Sequence, residues 1–437
     1  MTINRSLCTI GGTLLAALLG FTAFGAAQTL NTLHAFTGYR RDGATPYQGA
    51  VVIGAGGVVY GTTLNGGSRN QGTVFSLTPP ASPGGHWTEA VYSFPGGRGG
   101  AHPYGGLVVG RGGVLYGTAG YGGTSNLGMV FSLRPPSSPG GVWTEKMVYS
   151  FGGGSDGAYP RAGVVIGRGA ILYGTTASGG ASTTACGTGP PGGCGTVFSL
   201  TPPASPGGVW TETVLYSFTN LNGDGAAPTS GVVIGSGGVL YGTTFTGGTS
   251  NGGMVYSLTP PASPGGMWTE KLLYDFTSGS DGYQPSGVII GSGGVLYGTT
   301  ATSGPGGGNG SVFSLTPPTS TDEPWTQTAL YNFPNSTLGS FPDAGVVIGS
   351  NGVLFGTAQY GGTSGSGTVF SLTPPVSPGG TWTATLLHDF TGGGDGAQPI
   401  AGIVIDNSGV LYSTTSYGGI MNALCSMGCG TVFSLTP

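Results

Sequence analysis

The sequence motif Gly-Val-Leu-Tyr-Gly-Thr-Thr, with close variants, recurs seven times, about every 57 residues, along most of the chain. The central aromatic residues of the copies are Tyr60, Tyr116, Tyr173, Tyr241, Tyr297, Phe355 and Tyr412. A long fixed period indicates one supersecondary unit that is copied and stacked against its neighbours. The repeat therefore overrides the expectation of two or three unrelated domains for a chain of 437 residues.

Each unit is predicted to contain four short strands. In the fourth unit, an apolar run at 231–235 and a glycine turn precede a β-branched and aromatic strand at 239–244. A third strand follows at 253–258, then a Pro-rich connection and a fourth strand at 268–276. One such antiparallel meander cannot bury both its faces alone, so packing of copies around an axis favours a β-propeller.

The two ends of the repeat array predict a closed ring. Six units end with a Leu-Tyr-Ser-Phe strand, and the seventh copy stands alone near the N-terminus, at 33–36. We therefore expect an all-β, seven-bladed β-propeller of four-stranded antiparallel blades, closed by the N-terminal strand completing the last blade. The expected blades are 49–94, 106–151, 163–218, 231–276, 287–333, 345–390 and 402–435 plus 30–36. An open β-solenoid is the alternative, and it would not need matching half-units at its ends.

Residues 1–27 are predicted to be a secretory signal peptide. Arg5 supplies the positive charge, 10–24 is apolar but too short to span a bilayer, and 25–27 are small residues before the expected cut. A retained anchor helix is the alternative. The mature protein, 28–437, is expected to be a monomer, secreted or periplasmic, with no membrane span after signal removal.

The cysteines of the mature chain predict two local disulfides. Cys186 and Cys194 share one loop of the third unit, and Cys425 and Cys429 share the matching loop of the seventh. An even number of cysteines in an exported protein favours the pairs Cys186–Cys194 and Cys425–Cys429. Free or metal-binding thiols remain the alternative.

The composition excludes several classes of function. Charged residues make up 6% of the chain, so no basic stripe is available for nucleic acid, and none is expected as a partner. No nucleophile elbow, zinc-protease motif or phosphate-binding loop occurs.

His34 and His388 occupy the tyrosine position of the Leu-Tyr-Ser-Phe strand and are interpreted as aromatic replacements. The recurring Trp-Thr-Glu words predict blade-packing tryptophans and edge-protecting glutamates, the latter being Glu89, Glu145, Glu212 and Glu270.

An Asp-Gly pair recurs in the last loop of five units. The aspartates are Asp42, Asp156, Asp224, Asp281 and Asp395. Asp-Gly is a common turn pair, in which the carboxylate accepts bonds from the local backbone, and this interpretation is favoured. Calcium binding is the alternative, although each loop offers mostly one carboxylate where a calcium site needs several. No cofactor is otherwise expected.

Tyrosines recur in the variable loops and are the candidate ligand-binding residues. They are Tyr121, Tyr360 and Tyr417, in matching positions after the Leu-Tyr-Gly-Thr strand, with Tyr39, Tyr159 and Tyr283 in or just after the Asp-Gly loops. Flat aromatic groups on weakly charged loops suit sugar rings or a protein partner. Solvent-exposed spacer residues are the alternative.

The repeat words resemble the GloVer tandem-repeat family of exported bacterial proteins. The resemblance rests on Gly-Val-Leu-Tyr-Gly-Thr-Thr at 238–244, the Gly-Gly pair at 247–248 and the Val-Phe-Ser-Leu-Thr block that follows, and it covers about 30–437. It implies export and a β-propeller, and it implies no particular chemistry. The pattern is also similar to NHL-type propellers, which implies that the Val-Val-Ile strand is innermost and the Leu-Tyr-Ser-Phe strand outermost.

Together these features predict a secreted, non-enzymatic module that binds a glycan or a protein on its variable-loop face. An enzyme acting on a polysaccharide or small metabolite at the channel mouth is the alternative, and the five Asp-Gly aspartates would then be its candidate carboxylates. A purely structural component of the cell envelope is the third possibility.

Overall fold

Seven four-stranded antiparallel sheets form a ring in the computed structural model, which describes residues 28–437 apart from 40, 83, 137–140, 182–185, 187–190, 206, 264, 303–307, 321–322, 335–336 and 378. The described residues contain no α-helix. The all-β, seven-bladed propeller is thus confirmed. The predicted signal peptide lies outside the described residues.

In each blade the strands follow the chain from the centre outwards. The innermost strands are Val52–Ile53, Val108–Val109, Val165–Ile166, Val233–Ile234, Tyr283–Ile290, Val346–Ile348 and Val404–Ile405. The second strands are Val59–Thr63, Leu115–Ala119, Leu172–Thr176, Leu240–Thr244, Leu296–Thr302, Leu354–Ala358 and Leu411–Thr415. The third strands are Thr73–Thr78, Met129–Arg134, Thr196–Thr201, Met254–Thr259, Ser311–Thr316, Thr368–Thr373 and Thr431–Thr436. The outermost strands are Thr88–Ser93, Thr144–Ser150, Thr211–Ser217, Thr269–Asp275, Thr326–Asn332, Thr383–Asp389 and, for the seventh blade, Thr29–Ala35.

Short turns and ribbons connect the strands. In six blades a 3-10 turn joins the innermost and second strands, at Ala55–Gly57, Arg111–Gly113, Arg168–Ala170, Ser236–Gly238, Ser292–Gly294 and Ser350–Gly352. Gly237 has φ 68° inside its turn, a left-handed conformation that glycine adopts without strain. Two further 3-10 turns, Gly97–Gly99 and Gly154–Asp156, follow outermost strands. Two-residue ribbons pair Gly43–Ala44 with Asn65–Gly66 and Gly225–Ala226 with Thr246–Gly247.

Glycines let the blades meet closely at the centre of the ring. A Cβ atom at Gly105 would overlap the backbone of Gly163 in the next blade, so only glycine fits there. At the seventh blade, a Cβ on Gly402 would lie 3.4 Å from Ala50 Cβ and 3.5 Å from the Ala344 carbonyl oxygen. The contacts therefore pass from the last blade to the first, as a closed ring requires.

One aromatic pair repeats in all seven interfaces between blades. An aromatic residue that ends each outermost strand packs edge-to-face on an aromatic residue of the next blade's third strand, with ring centroids 5.1–5.3 Å apart. The pairs are Phe36–Phe75, Phe94–Phe131, Phe151–Phe198, Phe218–Tyr256, Phe276–Phe313, Phe333–Phe370 and Phe390–Phe433. These rings are fully or almost fully buried, so the core of the protein lies between blades.

The N-terminal strand closes the ring as predicted. Thr29–Ala35 pairs antiparallel with Thr431–Thr436, and Thr29 stands opposite Thr436. Beyond the strand, Asn422 Nδ2 donates a hydrogen bond to the Thr37 carbonyl oxygen at 2.8 Å. Both ends of the chain thus share one sheet, and the N-terminal strand covers the edge of Thr431–Thr436.

The two predicted disulfides are present, Cys186–Cys194 and Cys425–Cys429, each with a Cα–Cα distance of 5.2 Å.

Tryptophans of the outer strands pack against tyrosines of the preceding blade, as Trp268 does on Tyr173 at 6.1 Å between ring centroids. The tryptophans in such contacts are packing residues, as the sequence indicates.

Candidate functional site

One face of the ring carries both sets of variable loops. Antiparallel strands alternate in direction, so the loops after the second strands and the loops after the outermost strands emerge on the same face. Each loop after an outermost strand runs inward to the next blade and carries a proline shortly before the innermost strand, or, in the fifth blade, near the start of that strand. These prolines are Pro46, Pro103, Pro160, Pro228, Pro285, Pro342 and Pro399.

The residue before each proline has a left-handed backbone. The seven residues are Thr45, His102, Tyr159, Ala227, Gln284, Phe341 and Gln398, with φ between 51° and 58°. This conformation is unusual for non-glycine residues, and most of all before proline. Hydrogen bonds to two blades hold it: the Tyr159 N–H donates to the Leu127 carbonyl at 2.8 Å, and the Tyr159 carbonyl accepts from the Ala177 N–H at 3.1 Å.

The residue after each proline differs from blade to blade. In order round the ring these residues are Tyr47, Tyr104, Arg161, Thr229, Ser286, Asp343 and Ile400. Five of them, with the central glycines, line a cavity of about 650 Å³ at the channel mouth: Tyr47, Arg161, Thr229, Ser286 and Asp343. Positions that repeat in space but vary in chemistry suit recognition more than packing.

Four tyrosines from neighbouring blades form a continuous aromatic surface beside this cavity, here called the tyrosine array: Tyr47, Tyr104, Tyr121 and Tyr159. The Tyr104 ring lies 5.6 Å from Tyr47 and 6.5 Å from Tyr121, and Tyr121 lies 5.3 Å from Tyr159, between centroids. Tyr121 is 37% exposed and the other three are half-buried. The array therefore presents aromatic surface to solvent.

Polar groups border the tyrosine array. The Arg161 guanidinium carbon lies 5.7 Å from the Tyr104 ring centroid, within the range of a cation–π contact. The His102 ring meets Tyr121 edge-on at 5.8 Å, and its Nδ1 lies 2.9 Å from the Leu64 carbonyl oxygen. Arg161 thus offers an exposed cation beside an aromatic face.

A second aromatic and amide group lies on the sixth and seventh blades. Phe341 packs edge-on against Tyr360 at 5.7 Å between centroids. The Gln359 Nε2 donates to the Tyr360 hydroxyl at 3.1 Å and to Gln398 Oε1 at 3.3 Å. Tyr417 is close enough to influence the ionisation of Tyr47.

Burial perturbs the ionisable groups of the mouth. It raises the pKa of Asp343 to about 6. It also raises the pKa of Tyr47, an effect that Arg161 opposes and Asp343 strengthens. The mouth thus combines neutral phenols with a cation and a carboxyl group that can carry a proton near neutral pH.

The six predicted tyrosines separate into three pairs. Tyr121 and Tyr159 belong to the array, and Tyr360 and Tyr417 lie on the sixth and seventh blades, on the other side of Tyr47. In the described part of the chain, no ring contact joins Tyr39 or Tyr283 to them. Tyr39 is 56% exposed in the Asp42 loop, and Tyr283 pairs with Thr302 in a strand. The sequence did not single out Tyr47, Tyr104, Arg161 or Asp343, and the only signal for them is the variable place after the proline.

The Asp-Gly aspartates bind their own turns at the outer rim of the ring. Asp42 Oδ2 accepts hydrogen bonds from the Thr37 N–H at 2.7 Å and the Thr37 hydroxyl at 2.6 Å. Asp224, Asp281 and Asp395 bind Thr219, Thr277 and Thr391 in the same way, and Asp156 binds the Gly152 N–H and the Tyr149 hydroxyl. These are the contacts of the turn interpretation. The carboxylates of Asp42, Asp156 and Asp395 stand beside residues of the outermost strands.

The glutamates of the Trp-Thr-Glu words do not protect an edge as expected. Each places its Oε1 atom out of reach of solvent, and no described residue forms a hydrogen bond with it: Glu89, Glu145, Glu212 and Glu270. Burial, with Asp156 of the preceding blade, raises the pKa of Glu212 to about 7. These glutamates lie on the side of the outermost strand that packs against the neighbouring blade. Closure of the ring therefore buries them instead of leaving them at an exposed edge.

A family model described as the Gloeobacter/Verrucomicrobia repeat matches residues 20–188 and 183–433. The chain belongs to this repeat family. The resemblance seen in the repeat words is confirmed over almost the whole propeller. The sequence has no match among curated proteins.

Solved structures share the architecture at low identity. The extracellular domain of a protein from B. thetaiotaomicron, assigned as a hybrid two-component system, is 10% identical with a TM-score of 0.51, and the match covers 94% of this chain and 43% of that one. A Bacteroides uniformis protein assigned as a 6-phosphogluconolactonase is 15% identical with a TM-score of 0.49, over 84% of this chain and 89% of that one. At such identities the likeness concerns the fold alone.

The disulfides bear on the compartment. Disulfides such as Cys186–Cys194 are typical of proteins in an oxidising, extracellular or periplasmic environment. Among the described residues, no helix has the length and apolar character that crossing a membrane would require.

Proposed function

We propose that the protein is a secreted or periplasmic, non-enzymatic propeller that binds a glycan at the channel mouth. The observation that supports this is the tyrosine array, whose four rings form one partly exposed surface beside the central cavity. The C–H faces of sugar rings pack on aromatic rings, and sugar hydroxyls bond to amide and guanidinium groups. Gln48, Gln284 and Arg161 line the cavity and supply such groups.

The test is a glycan array, probed with and without calcium, followed by calorimetry with the best ligand. Tyr104 is at the centre of the array, so Tyr104→Ala should weaken binding by at least about tenfold, or about 1.4 kcal/mol. Tyr39→Ala is the matched control, because Tyr39 is exposed but outside the array. Equal affinity of the two variants, or no glycan bound by the parent, would contradict the proposal.

Arginine provides a second matched pair. Arg161 is exposed at the channel mouth, whereas Arg168 lies in a turn on the opposite face. Arg161→Ala should weaken glycan binding severalfold, and Arg168→Ala should leave it unchanged. Similar losses in both variants would show that net charge, rather than the mouth, governs affinity.

Asp343 favours an enzyme as the second candidate function. It is a half-buried carboxyl group whose pKa is raised to about 6 by desolvation, and it shares the cavity with Arg161 from another blade. Such a group suits general acid–base chemistry on a polysaccharide or small metabolite. An enzyme would lose turnover in Asp343→Asn while it still binds ligand, and a binding module would show no turnover in the parent either.

A further inference from the structure

The rim of the ring holds seven equivalent places where one blade meets the next. Each can combine an aromatic residue of the outermost strand, an aspartate of the following loop and a glutamate of the next blade's outermost strand. At the meeting of the seventh and first blades the three are His34, Asp42 and Glu89. Among the described residues, only this place brings together three potential metal ligands.

The three side chains have the spacing of a small coordination sphere. His34 Nε2 lies 3.4 Å from Asp42 Oδ1 and 3.3 Å from Glu89 Oε1. All three ligand atoms lie within 4.8 Å of one another. Ligands of a tetrahedral zinc ion, with bonds of about 2.0–2.2 Å, are separated by about 3.3–3.6 Å.

The Glu89 oxygen faces the other two side chains. Its Oε1 atom is shielded from solvent and lies 3.3 Å from His34 Nε2, within ion-pair range, and the Glu89 carboxyl group interacts with that of Asp42. Two carboxylates this close repel each other when both are ionised, and one imidazolium compensates for only one of the two negative charges. A bound divalent cation would compensate for both.

Neighbouring groups hold two of the ligands in place. Asp42 Oδ2 accepts hydrogen bonds from the Thr37 N–H and hydroxyl, and Oδ1 accepts one from the Gly43 N–H at 2.7 Å and also faces His34 Nε2 at 3.4 Å. The His34 ring packs edge-on against Phe36 at 4.8 Å between centroids. Outer contacts of this kind orient the ligands of metal sites. The side chains are 13–23% exposed, so solvent can reach the site and supply a fourth ligand.

We propose that His34, Asp42 and Glu89 bind one divalent ion of the zinc class. One imidazole and two carboxylates suit zinc better than calcium, which prefers oxygen ligands in greater number. His34 and Asp42 belong to the segment that completes the last blade, and Glu89 belongs to the first blade. The ion therefore joins the two blades at the closure of the ring and stabilises the folded state by its binding free energy.

Equivalent places provide internal controls. His388 and Asp395 repeat the first two ligands at 3.2 Å, but the glutamate position is Leu30. Asp156 and Glu212 repeat the two carboxylates, but Tyr149 replaces the imidazole. The fold thus accepts tyrosine at the histidine position, and it accepts glutamine at the glutamate position, where the fifth blade has Gln327.

The experiment measures zinc binding and thermal unfolding of the tag-free full-length protein after treatment with a chelator. We expect calorimetry to show one zinc ion per chain and a higher Tm in zinc chloride, with no such rise in calcium chloride. His34→Tyr and Glu89→Gln should each weaken zinc affinity by at least about tenfold and abolish the rise in Tm. His388→Tyr should bind zinc like the parent.

Two results would overturn the proposal. One is no zinc binding by the parent at micromolar concentration. The other is unchanged zinc affinity in both His34→Tyr and Glu89→Gln, since the ion would then lie elsewhere. Circular dichroism of each variant in the absence of zinc shows whether it is folded. If one ligand variant does not fold, the other decides the question.

Discussion

Glu212 places one carboxylate oxygen in the interface with the preceding blade, where no described residue forms a hydrogen bond with it. Its pKa, ordinarily 4.5, is raised to about 7, chiefly by burial and also by Asp156. The folded protein therefore binds this proton more tightly than the unfolded chain does. The interface tolerates the protonated carboxyl group better than the ionised one. The free energy of unfolding should therefore fall as the pH rises from 4.5 through about 7.

Glu212→Gln should raise the Tm at about pH 8 and leave it nearly unchanged at about pH 4, because glutamine keeps the shape and removes the charge. The fifth blade already has Gln327 at this position. Thermal unfolding followed by circular dichroism at both pH values checks the prediction. Glu323→Gln, at an exposed site, is the control and should show no such dependence. An equal shift at both pH values would contradict the assignment to ionisation.

Tyr256→Phe should stabilise the protein. Tyr256 is fully buried, and its hydroxyl has no hydrogen-bond partner among the described residues, whereas the other six interfaces have phenylalanine at this place. Removal of the hydroxyl should raise the free energy of unfolding by about 1 kcal/mol, measured by denaturant titration. The reverse change in the adjacent blade, Phe198→Tyr, should be destabilising. A loss of stability in Tyr256→Phe would point to an undetected partner.

The channel mouth shows what the sequence could not predict at this scale. Tyr121 and Tyr159 were found because they are conspicuous in variable loops. Tyr104 and Asp343 were missed because a residue after proline reads as part of a connection. The side chains that follow the prolines reach the mouth because the residue before each proline has a left-handed backbone. Those seven left-handed residues share no chemical type, so no sequence pattern reveals them.

Each outermost strand is joined to the third strand of the next blade by a buried aromatic pair, and these pairs stabilise the contacts between blades. Phe313 packs on Phe276 of the preceding blade, 5.2 Å between centroids, so every outermost strand stabilises two blades. Phe313→Ala should lower the free energy of unfolding by about 3–5 kcal/mol. Denaturant unfolding checks this, with Val376→Ala at a fully exposed site as the control. A similar loss in both variants would show that the pair is not part of the core.

Most strands could be placed from the sequence to within one or two residues. The fourth strand of the fourth unit was expected at 268–276 and covers Thr269–Asp275. The innermost strand was expected at 231–235 but only Val233–Ile234 pair. Its first residue, Gly231, turns towards the backbone of Gly163 in the preceding blade, and this contact between blades has no signal in a single unit.

We expect the stability of the whole molecule to depend on closure of the ring. The matching half-units allowed it to be predicted, because a missing strand at one end and a spare strand at the other can only complete each other. Loss of residues 28–36 would expose the edge of Thr431–Thr436 and remove Phe36, which is fully buried. We expect this deletion to unfold or aggregate. The chain that begins at residue 28 is the control, and equal Tm values for the two would contradict the clasp.

Because Thr29 pairs with Thr436, the two ends of the chain lie between the third and outermost strands of one blade. The same place exists in each of the seven blades. In the other blades a Pro-rich connection, such as 79–87, links the same two strands. A circular permutant that bridges 436 and 29 with such a connection and opens another would keep every sheet, each aromatic pair and the channel mouth. Translation could thus start in any blade, and a fusion partner could be attached at a chosen angle to the ligand face.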